Sequence, residues 1–454
     1  MTQRNAFMIT TAIALGVGVP SLAAENQITL QQSGEGNQVL IDQSQGTGNW
    51  VGDAGSGVAQ SGNTNQLTLT QIGFGNVIGS VQQTGDMNEM TLIQRGDNNT
   101  IATASQNGQG NRFTIQERVE VMGNSVEAIQ QDGTNNNFGF TLEGSDNGGA
   151  PLTGDAMMTG AVGGMIVQSG SGQNADFSIG GNRNQFASYQ AGTASMFYWS
   201  IYGDDNQMAL SYEGTGGNNI LGIHSNGSRN NVGMRMFATG GSGNYGAFYL
   251  PAGADDNQMW ASQFGDRNEI SVEVQGTFND IDVVQEQEGN AAWGFVRSGN
   301  NQVNVVQMGY DQRIDLEVDG GMGGNLVHAM QTGGTNTLAV NIFAENTNAA
   351  SGVAGWDLTP MMMSGAAGDV AGMAGLTGGA LMQSGYDNSL RVEVGQVFPG
   401  GTGNAFAVSQ MGDLNSAQLS LNGDFNQVAV SQGSSFNVAN VAVEGAYNSV
   451  GIIQ

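Results

Sequence analysis

The chain has 454 residues, 74 of them Gly, with 5 Pro, no Cys and no Lys, so that all 11 basic residues are Arg. Glycine at more than twice its usual ~7% share, and charged residues at 11% rather than ~25%, argue against a dense α/β enzyme. A formal charge of −28 disfavours partners held through phosphates, nucleic acid and anionic membrane surfaces included, while zero Cys and only His224 and His328 leave thiolate or His-based metal centres poorly supplied.

The chain opens with Arg4, an apolar run from Ala6 to Val19, Pro20, and the small-residue stretch Ser21-Leu22-Ala23-Ala24. That order is a secretory signal, residues 1–24, cleaved after Ala24 or alternatively after Ala23. The apolar run falls short of the ~20 residues a spanning helix needs. The mature chain is therefore expected to be exported.

From residue 25 to 147 one pattern recurs, Gln-x-Gly-x-x-Asn followed by alternating apolar and polar residues. Gln32 with Asn37 starts it. Gln60, Gln71 and Gln82 keep an 11-residue spacing with Asn65 and Asn76, and Gln83, Gln94 and Gln106 follow with Asn88, Asn99 and Asn111. The turn glycines here are Gly62, Gly73, Gly85 and Gly96. Residues 148–165, rich in Gly and Met, break the register and read as a loop or hinge.

A looser repeat block, 166–348, contains Gln263 and Gln331 in the strict motif and concentrates aromatics at Phe197-Tyr198-Trp199 and Phe248-Tyr249. These read as stacked aromatic columns, or alternatively as a carbohydrate-stacking surface around Trp199. Residues 349–381, with Pro360-Met361-Met362-Met363, form a second interruption, read as a loop or as a Met-rich surface. The block 382–454 is the most regular: Gln410, Leu421, Gln432, Val443 and Gln454 are each 11 apart, with Gly412, Gly423 and Gly445 two residues after their anchors and Asn415, Asn426, Asn437 and Asn448 in step.

After each Asn the alternation has period two, as in Asn268-Glu-Ile270-Ser-Val272-Glu-Val274, which is a strand with one apolar face. Gly and Asn at the corners both tolerate the positive φ of a tight turn. One strand and turn cannot bury its own apolar face, so two 11-residue units are expected to close a flattened coil of about 22 residues. The expected fold is all-β, a β-solenoid of such rungs ~4.8 Å apart. Gln and Asn then fall into columns whose amides bond along the axis. Alternating Gln and aliphatic anchors in the last block suggest one corner edge lined by amides and the other by aliphatics. The pattern begins at Gln32 and reaches Gln454 without a polar capping repeat, so unpaired strand edges are expected at the ends.

Gln94-Arg-Gly-Asp-Asn-Asn99 to Gln106, and Asn415-Ser-Ala417 to Leu421, resemble the curlin repeat of bacterial curli fibre subunits, Gln-x-Gly-x-x-Asn-x-Ala-x-x-x-Gln on a 22-residue period. The resemblance spans most of the mature chain. It implies an amyloid-like extracellular fibre of a Gram-negative bacterium, secreted through an outer-membrane pore with accessory chaperones. The fibre would assemble with itself and other curlin subunits and serve biofilm matrix and adhesion. This chain is longer than a typical subunit and carries interruptions, so major subunit, nucleator and fibre-associated adhesin stay open. A monomeric solenoid adhesin is the alternative.

Asp86, Asp97, Asp204, Asp266, Asp413 and Asp424 each follow a turn Gly and are expected to align along solvated corners, where like charges repel. They read as a solubilising edge, or alternatively as columns neutralised by Ca²⁺ or acid. No catalytic constellation stands out from the repeat: Lys is absent and the acids occupy turn positions. No enzyme activity and no cofactor are expected.

Overall fold

The computed structural model describes residues 26–52, 57–117, 121–214, 217–238, 243–295, 300–315, 317, 324–341, 347, 360–395 and 402–454. The expected signal segment, 1–24, lies outside the described residues. The chain divides into two compact units, residues 1–153 with 157–218, and residues 154–156 with 219–454. Both are parallel β-solenoids, about 16 turns in all, and helix makes up 4%.

In the first unit, successive strands alternate between two facing parallel sheets. One contains Gln66–Phe74, Glu89–Asp97, Arg112–Glu117, Asn137–Leu142, Asn174–Gly180 and Met196–Tyr202. The other contains Val58–Ser61, Val77–Asp86, Thr100–Gln109, Ser125–Thr134, Met165–Ser171, Gln185–Thr193 and Gln207–Gly214. Period-two patterning does what it predicts: Leu67 and Leu69 are buried while Thr68 and Thr70 between them are half-buried on the outer face. Equivalent residues are 23 apart at Gln60, Gln83 and Gln106, and 37 apart where the first interruption intervenes between Gln131 and Gln168.

Aromatics fill the interior toward residue 200. Phe113 stacks on Phe138 at 5.0 Å, and Phe177 meets Trp199 at 4.6 Å. Trp199 is only 2% exposed, so its ring is core and offers no surface to a carbohydrate. The outward residues of that strand are Met196, Tyr198, Ser200 and Tyr202.

The second unit repeats the architecture, with equivalent residues 22 apart at Gln263 and Gln285 and again at Gln410 and Gln432. One sheet contains Glu269–Glu273, Ala291–Ala292, Arg313–Asp315, Thr337–Asn341, Ser389–Glu393, Ser416–Asn422 and Val438–Glu444. The other contains Asn231–Ala238, Gln258–Phe264, Asp280–Glu286, Asn301–Gln307, Asn325–Gly334, Leu381–Tyr386, Ala405–Met411, Gln427–Gln432 and Ser449–Ile453.

Both interruptions, read from the sequence as loops, carry helix: α1, Gly154–Met158, and α2, Gly365–Ala374. In the second unit α2 buries Ala367, Val370 and Ala371, with Leu376, against Ala407 and Ala429 on the sheet's outer face. Ala407, Ala429 and Gly451 are register partners, and a Cβ on Gly451 would run into the Ala366 carbonyl. A small-residue column thus makes room for the helix. Its first turn is anchored by side chains of the sheet. Ser364 N–H donates to Gln427 Oε1 at 2.5 Å, and Ala367 N–H donates to Ser449 Oγ at 2.9 Å. Three helical residues rise ~4.5 Å, close to the ~4.8 Å between strands. N–H groups that a helix start leaves without partners therefore meet oxygens on adjacent strands, Gln427 and Ser449 being register partners. Thr153-Gly154-Asp155-Ala156 repeats the pattern of Ser364-Gly365-Ala366-Ala367. In the first unit Thr153 N–H donates to Gln207 Oε1 at 2.7 Å, and in the second Ala156 N–H donates to Asn231 Oδ1 at 2.7 Å.

Candidate functional site

On many strands the inward residue before the turn is the sequence motif's Gln, and on others it is an aliphatic such as Leu142 or Ile201. In the first unit Gln32, Gln60, Gln83, Gln106, Gln131, Gln168 and Gln190 form one unbroken amide ladder, each Nε2 donating to the Oε1 of the next at 2.6–2.9 Å. Gln43, Gln71 and Gln94 form a second in the opposite sheet, at 2.6 and 2.9 Å. The other Nε2 hydrogen turns inward to backbone, as when Gln106 donates to the Glu89 carbonyl at 2.9 Å across the core. Such burial would cost several kcal/mol for an unpaired amide. In the second unit Gln383, Gln410, Gln432 and Gln454 continue the same bonding at 2.7–2.8 Å. Leu421 and Val443 are buried in the opposite sheet. One edge of these rungs is thus lined by amides and the other by aliphatics.

The Asn of each motif holds the corner. Asn88 is typical: its Oδ1 accepts the Asn111 backbone N–H at 3.1 Å, while its Nδ2 donates to Gly108 O at 3.0 Å and to Thr84 O at 3.2 Å. Asn37, Asn65, Asn88 and Asn111 form one such column, and Asn76 and Asn99 belong to another. In the second unit Asn415 and Asn437 are linked in the same way, as are Asn426 and Asn448. Gln32, Asn37 and Asn437 are half-buried and Asn448 is exposed.

The positive φ expected at the ladder Asn falls instead on the residue before it, Thr64, Met87, Asn98, Leu414, Phe425 and Tyr447 among them, with φ between 55° and 59°. The Asn is therefore selected for its side-chain bonds. The turn Gly has its own positive φ, 100° at Gly85, and a Cβ there would run into Gly108 O. Gly62, Gly73 and Gly423 meet the next Gly carbonyl in the same way, and Gly96, Gly412 and Gly445 share the conformation at 94–99°.

The acidic corner residues do not form like-charge columns. Asp86 stands between Asn63 and Gln109, and Asp413 between Tyr386 and Ser435. Five of the six carboxylates accept a backbone N–H of the preceding rung, for example Asn63 to Asp86 at 2.8 Å and Phe74 to Asp97 at 2.8 Å, whereas Asp266 Oδ1 is buried without a hydrogen bond. These five are inter-rung staples, while Asp266 has Glu288 in register on the next rung, with Arg267 donating to Glu288 at 2.7 Å. Among the described residues no three His, Cys, Asp or Glu side chains come together as a metal site.

The sequence reading missed several ladder members because their motif is degenerate. Asn124, Asn147, Asn184 and Asn206 bond in one column although no Gln-x-Gly precedes Asn124 or Asn147. Gln173 replaces Asn above Asn136 and donates to the Gly192 carbonyl at 2.9 Å. An Asn immediately before the alternating stretch, as in Asn124-Ser-Val126 and Asn206-Gln-Met208, was the available signal. A scan against protein-family models and a search of curated proteins return no match.

Proposed function

We propose that the chain is a secreted structural protein that self-assembles into curli-like, amyloid-like extracellular fibres, built on rungs of about 22 residues and serving biofilm matrix and surface adhesion. The observation that carries this reading is the Gln32 to Gln190 ladder, whose amides all donate in one direction. A stack so polarised offers amide hydrogens one way and carbonyl oxygens the other, so a second copy added head to tail meets complementary groups along this column. Strand edges template such addition through their unpaired backbone, and in-register Gln and Asn columns reinforce it as they do in cross-β assemblies. Other curlin subunits, an outer-membrane pore and secretion chaperones are the partners this role requires, at the surface of a Gram-negative cell.

The test is fibre formation by residues 25–454, followed by thioflavin fluorescence and fibre diffraction. Sigmoidal growth whose lag disappears on seeding, with ~4.7 Å and ~10 Å reflections, supports the reading. A β-rich monomer that stays soluble for days at high concentration overturns it in favour of a solenoid adhesin.

A further inference from the structure

The short segment Gly154–Ala156 lies against the outer face of a sheet in the second unit. Ala156 N–H donates to Asn231 Oδ1 at 2.7 Å, and a Cβ on Gly233 would run into the Asp155 carbonyl. Gly233, Trp260, Asp282 and Asn304 are register partners in one outward column. The Asp155 carboxyl therefore seats beside that of Asp282, accepting the Met259 backbone N–H. Its Oδ2 is buried without a partner, while Asp282 is hydrogen-bonded to Asn304. On the strands beneath, the other charged side chains at outward positions are Arg235, Asp280 and Glu286, none of them in the Gly233 column.

We propose that Asp155 and Asp282 form an acid-closed clamp: the Gly154–Ala156 segment seats on this face when the carboxyl pair carries a proton and lifts from it when both are ionised. Two carboxylates on facing elements repel, and each loses hydration on seating. Burial, reinforced by the Asp282 charge, raises Asp155 from 3.8 to about 6, and burial raises Asp282 as well. The seated state thus holds protons more tightly than the lifted one. Seating is complete below pH 3.8 and weakens as the pH rises to about 6, where the loss levels off. A two-unit shift corresponds to ~100-fold in the seating equilibrium. Solvent at the open side of the pair screens this toward roughly tenfold.

Hydrogen exchange on the full chain at pH 4 and pH 7, corrected for intrinsic rates, reads the clamp at the Ala156 amide. The Ala367 amide, bonded to Ser449 Oγ without a carboxyl pair, is the internal control. Protection of Ala156 should fall by roughly tenfold to a hundredfold between the two pH values while that of Ala367 holds. Equal behaviour of the two amides overturns the clamp. The isosteric Asp155→Asn and Asp282→Asn variants should each flatten the Ala156 profile. A profile that survives in both places its origin elsewhere and likewise overturns the proposal.

Discussion

Gln331 and Gln383 are register partners whose side-chain amides point away from each other. Gln331 donates back to Gln307 Oε1 at 3.3 Å, Gln383 donates forward to Gln410 Oε1 at 2.7 Å, and the Oε1 of each is buried without a hydrogen bond. The ladder polarity reverses where the chain makes its detour through the second interruption. A buried orphan acceptor costs about 1–3 kcal/mol, so this is the column's weak joint. The double change Gln331→Leu with Gln383→Leu should therefore destabilise the protein by about 2 kcal/mol less than Gln83→Leu with Gln106→Leu, where a 2.8 Å bond is lost. Urea midpoints of the two double variants compare them directly, and equal losses would contradict the reversal.

The corner Asn is worth more than a surface position beside it. Asn415 Oδ1 accepts the Asn437 N–H at 2.9 Å and its Nδ2 donates to Met411 O at 3.0 Å, whereas the Ser416 side chain is half-buried on the outer face. Asn415→Ala should cost about 2–4 kcal/mol through the groups it strands, and Ser416→Ala about 0.5 or less. If fibres form, Asn415→Ala and Gln410→Ala should both slow growth more than Ser416→Ala. Equal rates for the three would mean that the inward columns do not govern addition.

The two positive-φ sites of one corner should respond oppositely. Gly85→Ala puts a Cβ into the Gly108 carbonyl at φ 100°, and should cost more than the ~1 kcal/mol of a left-handed residue alone. Met87, at φ 58° and 54% exposed, relinquishes that strain on change to Gly. Met87→Gly should be neutral or stabilising by up to about 1 kcal/mol. Thermal unfolding of the pair separates turn geometry from side-chain burial.

The repeat was legible because burial enforces it: a rung displaced by one residue would expose Leu67 and Leu69 and bury Thr68. The ladder Gln and Asn were legible for the same reason, since Gln60 to Gln106 and Asn65 to Asn111 sit at fixed steps from a turn Gly. What escaped lies on the outer faces, where no period constrains the residue. Gln427 and Ser449 look like ordinary outward positions until a helix start docks on them. The acidic corners misled because a shared motif position, directly after a turn Gly, does not make the next rung of the same column acidic. Asp86 is followed in its column by Gln109, a neighbour set by the register of the next rung.

The docking of α2 supplies a last test, because it rests on an outward column rather than on the core. Gly451 faces Ala366 O and the Val370 side chain, and the flanking strand residues Val450 and Ile452 project to the opposite side of the strand by alternation. Gly451→Val should therefore dislodge α2 while leaving the inward ladders in place. The helix buries Ala367, Val370 and Ala371, whose contacts, at about 25 cal/mol per Å² of apolar surface, are its main hold on the sheet. Limited proteolysis should show new cleavage within Gly365–Ala374 in the variant, and amide protection of Gln432, which lies in the strand beneath, should persist. Simultaneous loss of both would show that α2 is an integral layer of the solenoid and not a strap laid over it.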